Sequence, residues 1–331
     1  MQDLFENFKD KRAVVTGGAG FIGSHICEAL VQAGCFVISV DDFSAGKPHN
    51  LNALKDFGNF RVVQADVCDE LSMSEILSQG IDYVFHNAAS KKTVCLQNPL
   101  KDLKVNAGGT LTLLQLAVKH KVKKFVHAST GSVYGEPKIF PSDESHPLNP
   151  VSYYGVSKLA GEKYVQTFHH LYGLNTTILR YFHVYGPRQE SNEFGGVVSI
   201  FLRNILDKKD LVIYGDGSQV RSFTWVKDIA NANLLTVVNS KSCGEVYNCA
   251  SGIQITIQEL ATKIAKMIGQ GRAINIRHED WTVGDIKYFA VSNRKIKDHL
   301  GLEFTTDFWN KMSETIDDFV AYLKKYELRV V

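Results

Sequence analysis

Tyr154 and Lys158 stand four residues apart, a spacing that sets a phenol and an ammonium on one face of a helix. That pairing has a chemical use. A free tyrosine titrates near pH ~10 and is a poor base in neutral solution, but a nearby lysine cation, together with the positive charge of an oxidised hydride acceptor, favours its phenolate. The phenolate can then take a hydroxyl proton while hydride leaves the adjacent carbon, which turns an alcohol into a ketone. Upstream, Ala128 to Gly135 (ASTGSVYG) offers the hydroxyls of Thr130 and Ser132 as hydrogen-bond donors to the reacting oxygen. Tyr-x-x-x-Lys by itself is commonly a surface pair, so its meaning depends on what precedes it.

What precedes it is a glycine-rich turn. Thr16-Gly17-Gly18-Ala19-Gly20-Phe21-Ile22-Gly23 contains G-x-G-x-x-G and follows a β-branched run while opening a helical one, the context that gives the pattern weight. Glycines there let backbone N–H groups of Gly17, Gly20, Phe21, Ile22 and Gly23 face a pyrophosphate at the helix N-terminus. Asp41, about 20 residues further on, is placed to accept hydrogen bonds from an adenosine ribose. With Asp42 beside it, a 2′-phosphate would be repelled, so NAD is expected over NADP, although Lys47 is close enough in sequence to weaken the repulsion. Asp66 is either an acceptor for the adenine amino group or an ordinary strand-end loop acid.

The elements that must position these groups follow from periodicity. Arg12 to Thr16, Phe36 to Asp41, Arg61 to Gln64, Tyr83 to Asn87, Lys124 to Ser129 and Thr176 to Tyr181 are short apolar, β-branched runs, the pattern of buried parallel strands. Gly23 to Ala33, Pro99 to His120 and Tyr153 to Tyr172 read as helices between them. The alternation predicts an α/β fold, a Rossmann-type doubly wound parallel sheet, with a smaller mixed C-terminal lobe where the regularity fades. The expected division is residues 1–181 for the dinucleotide, joined by part of 215–250, and 182–331 for the substrate.

Composition excludes several classes. Among 331 residues, 37 Lys and Arg face 35 Asp and Glu, so there is no basic stripe for nucleic acid. No apolar run approaches the ~20 residues that span a bilayer, and the N-terminus is not signal-like. The six cysteines lack zinc-ligand or C-x-x-C spacing, which points to reduced, mostly structural thiols, a cytoplasmic location and no metal site. Cys95 lies near the expected site but has no visible activating partner.

Taken together, the turn from Thr16 to Gly23, His86-Asn87-Ala88-Ala89, Asn106, Ser129 to Gly135, Tyr154 with Lys158, Tyr181 to Arg188 and Gly215-Asp216-Gly217 resemble the extended short-chain dehydrogenase/reductase family. Its nucleotide-sugar epimerase and dehydratase branch is the most similar, over almost the whole chain. The resemblance implies Tyr154 as base, Lys158 as its partner and ribose anchor, Thr130 as hydroxyl donor with Ser132 beside it, and Asn106 as a support. It brings Val67, Ala88, Ala89, Tyr181 and His183 to the cofactor. Lys91, Lys92, Thr130, His183, Arg188, Val197, Tyr214, Arg221 and Asp285 are brought to a nucleotide-diphosphate sugar, with Arg221 clamping the diphosphate. Dehydratases of this branch carry acids where this chain has Gly131 and Ser132, so the implied reaction is 4-epimerisation. Three departures, His183 for Asn, Ser222 for Asp and Thr282 for Arg, leave other NAD-dependent sugar conversions open, and Arg277 or Arg294 could replace the missing arginine. A non-catalytic relative is a further alternative. The resemblance also implies a homodimer through a four-helix bundle.

Overall fold

The computed structural model describes residues 6–90, 92–190, 195–269, 273–281 and 287–326, with the side chains of Lys92 and Thr93 excepted. Lys91, Thr282 and Asp285 lie outside the described residues.

Strands β1 (Arg12–Thr16), β2 (Phe36–Asp41), β3 (Phe60–Gln64), β4 (Tyr83–His86), β5 (Lys124–Thr130) and β6 (Thr176–Tyr181) form where the β-branched runs stand. Between β6 and the next strand of this sheet lie β7 (Val184–Tyr185), β8 (Leu211–Tyr214), β9 (Val220–Ser222) and β10 (Thr224–Trp225), and the sheet is completed by β11 (Glu245–Cys249). The order is β11-β6-β5-β4-β1-β2-β3, and every pairing is parallel. The chain winds outward in both directions from β1 and β4, so a crevice opens beyond their C-terminal ends, where ligands of such sheets bind.

Helices cover both faces. On one, α1 (Phe21–Gln32) packs against a later helix, here numbered α8 (Val226–Val238). Ile26, Leu30, Val15, Val37 and Ile229 are fully buried between them and the sheet. On the other, α2 (Glu70–Leu77) and α5 (Thr110–Lys119) cover Val14, Val84 and Phe125. Full burial of each such side chain stabilises the fold by ~1.5–3 kcal/mol before the entropy of ordering is counted. The helix carrying Tyr154 and Lys158, α6 (Tyr153–Tyr172), starts where the Ser152 side chain accepts from Gly155 N at 3.1 Å and stops at Gly173, with φ +65°. Those are the N-cap and left-handed C-cap that fix its ends.

Two expectations change. The run Pro99 to His120 is not one α-helix: after α3 (Lys92–Gln97), α4 (Pro99–Leu103) passes into a π-turn at Lys104–Gly109 before α5 begins. Asn106 sits in that turn, fully buried, with its amide engaged on both sides. A π-turn adds a residue per turn and re-aims the side chain inward. The seventh strand, β11, has no apolar alternation because its Asn248 is buried by hydrogen bonding, donating to Ser142 O and Ser292 O and accepting from Tyr134 at 2.7 Å.

The rest of the chain surrounds a separate core. Helices α7 (Val197–Leu206), α9 (Ile257–Ile268) and α11 (Phe308–Tyr326) bury Phe201, Leu260, Met312 and Phe319 together with Tyr185, Phe223 and Trp225. Short pairs replace a continuous sheet: β12 (Gln254–Thr256) with β9, β13 (Ile276–Glu279) with β8, and β10 with β7. Between α9 and α11, α10 (Arg294–Leu300) returns to the first core through Ile296 and Leu300. No described helix is long and apolar enough to cross a membrane, no described group of side chains could hold a metal ion, and none of the six cysteines is joined in a disulfide.

Candidate active site

A cavity of about 600 Å³ occupies the crevice at the C-terminal ends of β1, β2 and β4. Gly17, Gly20, Phe21, Ile22 and Gly23 form its floor. The turn tolerates no side chain: Gly17 has φ +65°, and a Cβ on Gly23 would collide with the Gly17 carbonyl. Helix α1 starts at Gly20 with no side-chain cap and no acid in its first turn, so its N-terminal N–H groups and positive dipole end are left to a ligand anion.

At one end of the cavity, Asp41 Oδ2 accepts from Ala19 N and its Oδ1 from Phe43 N, both at 2.9 Å. Burial raises this carboxyl above the usual range, and those two bonds hold it back. Asp42, Asp66 and Val67 line the same end, joined by Glu190 from beyond β6. Glu190 had no sequence signal, since it reaches the cavity from a segment about 150 residues past Asp41. At the other end stand Asn87, Ala88, Ala89, Ser90, Tyr154, Lys158 and Tyr181. An uncapped helix N-terminus in the middle, carboxylates at one end and a phenol with an ammonium at the other fit a dinucleotide.

His86 pegs the floor. Its Nδ1 lies 2.7 Å from Thr16 Oγ1 and its Nε2 2.9 Å from Thr110 Oγ1. Because the Thr110 hydroxyl donates to Asn106 O at 2.6 Å, it must accept from His86 Nε2–H, which leaves Nδ1 to accept from Thr16. Burial, with Lys158 nearby, lowers this imidazole to about 3 and keeps it neutral.

Tyr154 and Lys158 meet at the cavity as their spacing predicts, but their electrostatics differ from expectation. Burial, reinforced by Asp102, pushes the Tyr154 phenol up to about 12, and a hydrogen bond with Thr130 offsets only part of this. Burial also lowers Lys158 to about 8, against the charges of Glu162 and Asp102 that hold it up. In the protein alone, desolvation outweighs the lysine cation, so the phenolate expected of Lys158 together with oxidised nicotinamide depends on the second positive charge. Thr130 caps the following turn, its Oγ1 accepting from Ser132 N at 3.2 Å. Ser132 lies beside it, 3.3 Å away hydroxyl to hydroxyl.

Behind the pair runs a buried network that the motifs did not signal. Arg180 grips Glu162 with two bonds, at 2.9 and 2.7 Å, and donates to the Tyr134 hydroxyl at 2.7 Å, while Ser129 donates to Glu162 at 2.5 Å. Glu162 follows Lys158 by four residues, so helical spacing alone could have put it on the same face. Asn106 does not line the cavity; it ties Ser90, Asp102 and Ser157 together from behind.

The expected substrate residues are dispersed. His183 is exposed, with φ +33°, and its ring is 5.9 Å from Phe223. Val197 opens α7, Tyr214 ends β8 and is exposed, and Arg221 is buried on β9. None of these four lines the cavity. Arg188 is a correction: its guanidinium bonds Glu28 of α1 at 2.5 Å and its N–H bonds Asp318 at 2.8 Å, so it pins two helices and is not turned to a substrate. Arg277, a candidate for the missing arginine, pairs instead with Asp210 at 3.1 Å.

Comparison with known proteins agrees with this geometry. The chain is 32% identical over 312 residues to the UDP-glucose 4-epimerase of Mycolicibacterium smegmatis, covering 93% of this chain and 98% of that one. It is 38% identical over 264 residues to the UDP-N-acetyl-alpha-D-glucosaminuronate decarboxylase of Bacillus cytotoxicus, covering 78% and 80%. The crystal structure of the Thermotoga maritima UDP-glucose 4-epimerase with UDP-glucose superposes with a TM-score of 0.88 at 36% identity, covering 94% of this chain and 99% of that one. Residues 13–250 match the family model described as the NAD dependent epimerase/dehydratase family, and the chain belongs to that family.

Proposed function

We propose that the protein is an NAD-dependent nucleotide-sugar 4-epimerase. The observation that carries this reading is the environment of Gly131: a Cβ there would collide with the Phe182 ring. Of the two positions at which dehydratases of this branch carry acids, 131 therefore lacks both the carboxylate and the room for one, and 132 holds a serine in place of a carboxylate. What remains is Thr130, Tyr154 and Lys158, a set suited to moving one proton on and off a hydroxyl.

NAD, when bound, supplies the reversible hydride acceptor and a positive ring charge that favours the Tyr154 phenolate. Tyr154 Oη removes the C4 hydroxyl proton and later returns it to the sugar turned onto its other face. Thr130 holds the reacting oxygen in line with Tyr154, and Lys158 steadies the anion and the ribose. Ser132 donates to the sugar. Asp41, Asp42, Asp66 and Glu190 would oppose a 2′-phosphate, which supports NAD over NADP. Arg221 clamps the diphosphate, with Val197, Tyr214 and His183 around it.

The proposed division of the chain follows the cores. Residues 1–181, joined by α8, β11 and α10, hold the dinucleotide, and the remainder of 182–331 holds the sugar nucleotide. Leu100 (77% exposed), Tyr153 (57%) and Val156 (53%) leave apolar surface on α4 and α6, which supports a homodimer built by pairing the segments 99–120 and 153–172 of two copies into a four-helix bundle. Six cysteines without a disulfide among them support a cytoplasmic location.

The test is to incubate the purified protein with UDP-, GDP-, CDP- and dTDP-sugars and follow products by NMR. Recovery of a C4 epimer without added cofactor is the expected result. A 4-keto-6-deoxy or decarboxylated product would overturn the reading.

A further inference from the structure

Asp102 is a carboxylate that neither the cavity wall nor the catalytic motif accounts for. It is 1% exposed, on α4. A buried charge is costly unless something answers it. Its Oδ1 accepts from Asn106 Nδ2 at 2.9 Å, and the same nitrogen donates to Ser157 Oγ at 2.9 Å. Ser157 lies between Tyr154 and Lys158 in α6 and donates to Tyr154 O at 3.1 Å. The π-turn makes this possible by aiming Asn106 inward. A short chain of hydrogen bonds thus runs from the carboxylate to the stretch of helix that carries the acid–base pair.

The surrounding charges single out the same partners. Asp102 acts electrostatically on Tyr154 and Lys158 of α6, and Lys158 in turn draws its carboxyl down against burial. Glu162 of the same helix also faces Lys158, but it is gripped by Arg180 at 2.7 Å. Cys95 of α3 faces Tyr154. His86 of β4 and His127 of β5 lie near Lys158 and are held neutral by burial. On its own element, Lys101 lines the cavity and Lys104 follows it.

We propose that Asp102 is the counter-charge and positioning residue of the Tyr154–Lys158 pair, joined to it through Asn106 and Ser157. This rests on the assignment of Tyr154 and Lys158 as the acid–base pair. With Asp102 ionised, Lys158 stays an ammonium at the working pH and the phenol gives up its proton only when a cation is bound beside it. The cleft therefore does not carry a free phenolate before substrate and cofactor are in place.

The experiment is the pH dependence of kcat and KM for the epimerised sugar nucleotide, measured on the NAD-loaded protein and on Asp102→Asn. The amide keeps the shape and an acceptor for Asn106 while removing the charge. Both limbs of the kcat profile should move to lower pH by about one unit, because loss of one nearby anion eases ionisation of both the phenol and the ammonium. KM should stay within about twofold, since Asp102 does not touch the cavity. Asp102→Glu, which restores the charge, should return the profile to its place, and Asp102→Thr supplies a second uncharged form if the amide does not fold. In parallel, ultraviolet difference titration of tyrosinate against the Tyr154→Phe protein should show the Tyr154 midpoint falling by about one unit in Asp102→Asn relative to the parent. An unmoved profile or an unmoved Tyr154 midpoint would overturn the proposal and leave Asp102 a structural residue. Turnover surviving in Tyr154→Phe would instead overturn the acid–base assignment beneath it.

Discussion

The two walls of the cleft are built differently. The dinucleotide wall is backbone: a glycine turn, the end of α1 and the C-terminal ends of parallel strands, with side chains used mainly as carboxylates at one end. The side proposed for the sugar nucleotide rests on side chains from segments that lie far apart in sequence, His183, Val197, Tyr214 and Arg221, around a core of short strand pairs and helices α7, α9 and α11, and none of the four lines the described cavity. A backbone wall needs particular residues at a few positions only. A side-chain wall can be retuned at many positions without changing the fold, which is how relatives named for epimerisation and decarboxylation share one architecture.

Tyr154 and Lys158 stand where the two sides meet. Tyr154→Phe should lower kcat by ~10²–10⁴-fold, the range for loss of a positioned acid–base group, while NAD stays bound. Following NAD by absorbance alongside epimer formation checks both halves, and near-normal turnover would show that the base is misassigned. The next effect is on stability. Arg180→Met strands Glu162 in the core without its bidentate partner, which should cost ~3–5 kcal/mol in denaturant unfolding. A loss under about 1 kcal/mol would mean that Ser129 and solvent satisfy the carboxylate unaided.

Gly131→Asp tests the reading of epimerisation over dehydration. It forces a carboxylate against Phe182, and overpacking of this kind costs ~1–3 kcal/mol. The expected outcome is a protein of lower Tm that makes no dehydrated product. A stable variant that eliminates water would show that the site has room for dehydratase chemistry after all. At the adenosine end, Asp42→Ser with Glu190→Gln should narrow the preference for NAD over NADP by about tenfold per charge removed, as ~1.4 kcal/mol of repulsion requires. An unchanged ratio in fluorescence titration would place the 2′-position elsewhere.

The smallest expected effect is on pH stability. His86 and His25 are neutral in the folded protein, lowered by burial from 6.5 to about 3 and about 4. The unfolded chain binds these protons first, so folding loses stability as pH falls from 6.5 toward those values and gains nothing from them above it. Tm should drop between pH 7 and pH 4.5, and His25→Gln should flatten part of that slope. A slope unchanged by the substitution would assign the acid sensitivity to other groups.

Much of the dinucleotide wall was legible because its signals are local. Six strands, the Tyr153–Tyr172 helix, the glycine turn and Asp41 each depend on periodicity or on a backbone shape that few residues permit. The break in the Pro99–His120 helix was not legible, because a π-turn is chosen by the burial of Asn106 against Ser157 and Asp102 rather than by helical propensity. Arg188 was misread for a related reason: a motif reports a residue type, whereas Glu28 and Asp318, far away in sequence, decide where the side chain goes.

By itself, then, the sequence determined the alternating α/β order, the turn that no side chain can enter and the pairing of a phenol with an ammonium. These follow from local sterics and helical spacing. Only the tertiary structure decided the desolvation of that pair, the approach of Glu190 to the cavity beside Asp41, the closure of position 131 by Phe182 and the link from Asp102 to the helix of Tyr154 and Lys158. Each of these depends on desolvation or contact between segments far apart in the chain, and such distances exist only once the sheet and its helices have packed.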